Sequence, residues 1–164
     1  IDRSKFREFI GLRNFTTWKS LRIGGFWSAK DFREVLETRG FHVDDKANAM
    51  LDKINFKSTP GNKVELVRQS LPDLNLKEGA TFADIYAAGK KIGLMGCPEE
   101  VGPVLRFKYS NQPEGEKITV VREPTSGEQE WFEVEHVDRH LWLGRAQGWI
   151  DYYGGNRLFV FVRR

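Results

Sequence analysis

The chain holds a single cysteine, Cys97, among 164 residues, so no internal disulfide can form, a usage that suits a reducing compartment. It has no C-x-x-C pair for a metal. Of its three histidines, His42, His136 and His140, the last two lie four apart, but at an expected strand end and turn rather than on a helix. No metal site and no cofactor are therefore expected. No apolar run approaches the roughly 18 residues that span a bilayer. The opening IDRSKFREFIGL lacks the basic-then-apolar order of a secretion signal, so a soluble, cytoplasmic protein away from membranes is expected. Glycine pairs in IGGF (23–26) and YYGGN (152–156) come without a Walker lysine or G-x-G-x-x-G spacing and read as turns. No G-x-S-x-G elbow exists, and no serine has a His and Asp context, so serine-nucleophile chemistry has no anchor.

What is present describes a folded chain: 40% hydrophobic, 13% aromatic and 30% charged residues, too apolar for disorder and too polar for a membrane protein. The length suits one compact unit over 1–164. Net charge is +3 and unevenly placed: residues 1–80 carry 15 Lys/Arg against 11 Asp/Glu, and residues 81–164 carry 11 against 12. Arg3, Lys5, Arg7, Arg13, Lys19 and Arg22 make the N-terminal segment basic, a composition that points to polyanions such as nucleic acid or to a solvated terminus.

Periodicity predicts a short helix around Phe6, Phe9 and Ile10, then a strand in TWKSLRI ending at Ile23. Ser28 with Asp31 forms a capping box for a helix over 28–39, stopped at Gly40. Asp44 caps a second helix to about residue 54, and Thr81 with Asp84 opens a third that ends at Gly93. KVELVRQ reads as a short strand or an extended connector. After Pro113 the period changes from 3.6 to 2. KITVVRE (117–123), EWFEVEHV (130–137), HLWLGR and RLFVFVRR (157–164) read as strands, with turns at PTSGEQ and VDRH. These elements predict an α+β fold in which three to four helices, in a helical part of about 1–110, pack on a C-terminal antiparallel meander sheet of about 111–164.

Between the two parts lies CPEEVGPVLRFKYSNQPEGE (97–116). Pro98 suits the first position of a helix, which would put Cys97 at its N-cap, where backbone N–H groups favour thiolate. Glu99 and Glu100 oppose a second negative charge there. A buried structural cysteine and a chain-turning corner are the alternative. The pattern C-P-x-E-V-G-P-x-L-R-x-x-Y-x-x-Q-P-x-G-E, carried by Cys97, Pro98, Glu100, Val101, Gly102, Pro103, Leu105, Arg106, Tyr109, Gln112, Pro113, Gly115 and Glu116, resembles a group of small uncharacterised bacterial proteins. Similarity to that group extends over GATFADIYAAGKKIGL (79–94) and the ending FVFVRR. It brings no activity with it.

Three function classes remain. The aromatic stretch HLWLGRAQGWIDYYGGNRLF (140–159) gathers Arg145, Trp149, Asp151, Tyr152, Tyr153 and Arg157 around a glycine-bearing loop, the composition of a stacking surface for a small molecule or a protein partner. That makes a non-enzymatic binding module the leading reading. Nucleic-acid binding is the second, through the basic N-terminal segment and a winged-helix-like order of helices over 81–107 followed by a hairpin. A hydrolase or transferase using Cys97, or the carboxylates of Glu133 and Glu135 on one strand face, is the third.

Overall fold

In the computed structural model, which describes residues 3, 15–24, 28–56, 62–123, 130–146 and 157–163, local signals set the helix boundaries. The Ser28 side chain accepts from the Asp31 amide at 3.2 Å and opens α1 (Ala29–Thr38); Gly40, at φ 80°, turns the chain out of it. The Asp44 carboxylate accepts from the Ala47 amide at 2.7 Å and opens α2 (Asp45–Asp52). A reciprocal Thr81 and Asp84 capping box opens α3 (Phe82–Lys91). The fourth helix, α4 (Val101–Lys108), starts without a side-chain cap. Pro103 is its third residue, where an N–H would have no partner within the helix, so the proline costs no hydrogen bond. The predicted short helix around Phe6, Phe9 and Ile10 lies outside the described residues.

Among the described residues eight strands form one mixed sheet: β1 (Lys19–Ile23), β2 (His42–Val43), β3 (Asn62–Ser70), β4 (Leu94–Met95), β5 (Lys117–Val120), β6 (Phe132–Val137), β7 (His140–Arg145) and β8 (Leu158–Arg163). Their lateral order is β1-β3-β8-β5-β6-β7-β2, with β4 also pairing β8 beyond the end of β5. The β5–β6 hairpin pairs Lys117 with Glu135 and Thr119 with Glu133. β6 and β7 join through Asp138 and Arg139, both at positive φ, a two-residue turn that matches strand twist.

This overturns the expected architecture. Strands alternate with helices along the chain, and the sheet is no C-terminal meander: β1 and β3 belong to it as fully as the later strands. The last strand leaves its expected neighbour β7 and inserts between β3 and β5, antiparallel to the first and parallel to the second. The reason lies in its composition. Phe159, Val160, Phe161 and Val162 form a continuous apolar run, and all four are buried, so β8 needs cover on both faces and takes the centre of the sheet. KVELVRQ, expected as a short strand or connector, is part of the nine-residue β3 for the same reason, with Leu66 and Val67 buried on opposite faces.

The sheet thus has two cores. On the first face α1, α2 and α4 bring Phe32, Leu36, Ala47, Leu51, Val101 and Leu105 against Leu66, Ile118, Val134, Leu143 and Val160. On the second, α3 brings Phe82 and Ile85 against Val67, Val121, Trp131, Phe159 and Phe161. Each fully buried large side chain contributes about 1.5–3 kcal/mol. Gly102 lets α4 lie close on β6, since a Cβ there would stand 2.6 Å from that of Phe132.

Candidate functional site

The second face also carries a polar patch, positioned by strand register. Lys117 and Thr119 alternate with Ile118 and therefore leave the first core; their partners Glu135 and Glu133 share their face, and Arg157 reaches it from the start of β8. Lys117 Nζ lies 3.5 Å from Glu133 Oε1 and 3.4 Å from Glu135 Oε2, while Arg157 Nη1 lies 3.6 Å from Glu133 Oε2. Glu133 and Arg157 are each 8% exposed, and Thr119 is fully buried. Burial pushes the Glu133 carboxyl above its ordinary range; Arg157 and Lys117 pull it back, and Glu135 adds to the rise. The Thr119 hydroxyl has no hydrogen-bond partner among the described residues. Trp142, paired with Glu135 in register, stands at the edge of the patch with the His42 ring 4.9 Å away, and His42 in turn lies 4.6 Å from His140.

Of the aromatic-loop group, Arg157 joins this patch. Arg145 does not: it is the register partner of Phe132, which belongs to the first core, so the two arginines lie on opposite faces. Trp149, Asp151, Tyr152 and Tyr153 lie outside the described residues. Sequence reading found the carboxylates of Glu133 and Glu135 but missed Lys117 and Thr119. Their signal was the alternation in KITV, legible only once the hairpin register is known.

Of the basic group, Lys5, Arg7 and Arg13 are likewise outside the described residues, and Arg3 and Arg22 are exposed. Lys19 sits over the rings of Trp18 and Tyr109, at 5.3 and 4.7 Å from their centroids. The winged-helix order does not become winged-helix packing, because α3 and α4 cover opposite faces of the sheet. Residues Val101, Gly102, Pro103, Leu105 and Arg106 of α4 are buried, which leaves no recognition surface at its N-terminal end.

Cys97 is not a helix N-cap, since α4 begins at Val101. It lies in extended chain that bridges to Arg122, its N–H donating to the Val121 carbonyl at 2.6 Å. Its thiol is fully buried, facing the Val160 carbonyl at 3.4 Å, and burial, followed by the Glu123 carboxylate, pushes it well above its ordinary range. A thiol so held is a poor nucleophile.

The polar residues of the 97–116 pattern do converge, in a buried clamp. Arg106 Nη1 donates to Gln112 Oε1 at 2.7 Å and to the carbonyls of Glu135 and Trp142 at 3.1 and 3.2 Å; Nη2 donates to the Tyr109 carbonyl at 2.6 Å. Gln112 passes the network on to the carbonyls of Val134 and Glu116. Burial lowers the Arg106 pKa to about 10, an effect that Tyr109 and Glu116 oppose. The clamp ties α4 to the β6–β7 hairpin and so holds the strands that present Glu133, Glu135 and Trp142.

Among the described residues no three His, Cys, Asp or Glu side chains gather to hold a metal ion, and no helix is long and apolar enough to cross a membrane. No family model, curated protein or solved structure matches the chain.

Proposed function

We propose that the protein is a non-enzymatic binding module whose ligand or partner meets residues 146–156 and the adjoining second face of the sheet. The observation that carries this is the Arg157 and Glu133 pair. Both charges are nearly buried, yet their contact is 3.6 Å long. Charges withdrawn from water at such a separation are held less tightly than a direct charge-assisted hydrogen bond would hold them, which suits the pair to a guest. Trp149, Tyr152 and Tyr153 would complete the surface.

The test is thermal denaturation against neutral sugars, amino acids, small carboxylic acids and nucleotides, with Arg157→Gln and Trp149→Ala beside the parent protein. One class should raise the parent Tm and leave both variants unmoved while their far-UV circular dichroism stays unchanged. No response to any class would overturn the reading for small molecules.

Nucleic acid is the alternative partner, supported by the exposed Arg3 and Arg22 at either end of the basic segment. Labelled mixed-sequence DNA and RNA should then bind with an affinity that falls steeply as salt rises, and deletion of residues 1–13 should flatten that dependence. Absence of binding at low salt removes this alternative.

A further inference from the structure

The polar patch on the second face also constrains the chemistry of its guest, an inference that rests on the binding-module reading. Its four charged groups, Lys117, Arg157, Glu133 and Glu135, sum to zero, so an anion meets two carboxylates and a cation meets two basic groups. The contacts between them run 3.4, 3.5 and 3.6 Å, each longer than the roughly 2.7–2.9 Å of a charge-assisted hydrogen bond. Donors and acceptors therefore face each other in long, weak contacts. Between these strands the Thr119 hydroxyl is fully buried and, among the described residues, unpartnered, a polar group with unspent capacity. Trp142, half-buried beside Glu135, adds an amphipathic flat surface at the rim.

We infer that this patch is a subsite for a neutral polyhydroxylated ligand, a saccharide. A hydroxyl both donates and accepts, so adjacent hydroxyls can take hydrogen bonds from Arg157 and Lys117 while giving them to Glu133 and Glu135, with no net charge to desolvate. The less polar C–H side of a sugar ring suits the indole of Trp142.

The experiment is isothermal titration and saturation-transfer NMR with glucose, galactose, mannose, N-acetylglucosamine and cellobiose, on the parent chain, Thr119→Val and Arg157→Gln. Thr119→Val keeps the side-chain shape and removes the orphaned hydroxyl, so the fold should hold with Tm unchanged or higher, while sugar affinity falls about tenfold or more, roughly the loss of one hydrogen bond to a buried group. A merely structural threonine would move Tm alone. Sugar binding that both variants retain overturns the subsite. A Tm response to amino acids or carboxylic acids with no sugar binding overturns the saccharide but leaves the binding module standing. Silence from every class overturns the saccharide subsite and, for small molecules, the binding module.

Discussion

Arg106 donates to the side-chain oxygen of Gln112 at 2.7 Å, with both side chains buried and, among the described residues, no carboxylate hydrogen-bonded to the guanidinium. The cation is instead shared among three main-chain carbonyls and an amide, which serve as acceptors from two strands, the end of α4 and the turn after it. Such a group is costly to bury and costlier to remove, because its acceptors would be left without donors.

Arg106→Met should therefore destabilise the fold by roughly 3 kcal/mol or more. Arg106→Lys should lose most of that as well, since a single ammonium cannot reproduce a planar fork that reaches both strands. Urea unfolding measures both, and a lysine variant as stable as the parent would show that charge alone is required.

Tyr109 supplies a pH test. Burial, a hydrogen bond to Glu116 and the charge of Glu116 push its phenol up to about 12, against the opposing pull of Arg68 and Arg106. The neutral form is favoured in the folded chain, so its contribution to stability is complete below the ordinary tyrosine value of about 10 and is lost as pH rises from there towards 12. Ultraviolet titration of phenolate should show a late component near pH 12 that Tyr109→Phe removes. A titration unchanged by that substitution would contradict the burial of the ring.

Cys97 should be inert in the native chain. A thiol reagent should label no cysteine before denaturation and one after it, because the sulfur is enclosed. Labelling at the rate of a free thiol under native conditions would restore the nucleophile reading.

Arg139 occupies φ 66° in the turn between β6 and β7, a conformation that strains an L side chain. Arg139→Gly should raise stability by about 0.5–1 kcal/mol, keeping the backbone N–H that donates to Glu114 at 3.2 and 3.3 Å. A lower Tm would mean that the arginine side chain holds the turn.

Helix boundaries were legible because their causes are local. Ser28, Asp44 and the Thr81 with Asp84 box lie within three residues of the amides they cap, and the observed helices begin where those residues place them. The failure at Cys97 has the same logic in reverse. Pro98 suits a helix start, but pairing of the chain at Cys97 with residues 121–123, distant in sequence, holds that stretch extended. Likewise the candidate site was half visible: period two put Glu133 and Glu135 on one face, whereas Lys117, Thr119 and Arg157 joined them through pairings across the sheet.

By itself, then, the sequence determined where the three side-chain-capped helices start, where the chain turns, and which strand residues share a face, since each depends on neighbours a few positions apart. The apolar run Phe159–Val162 read only as the last strand of a meander, although all four residues are buried. Only the tertiary structure decided that β8 lies between β3 and β5, that α3 and α4 cover opposite faces, and that Arg157 meets Glu133. Strand order is set by the burial of whole faces, a sum over residues far apart in the chain that no local period contains.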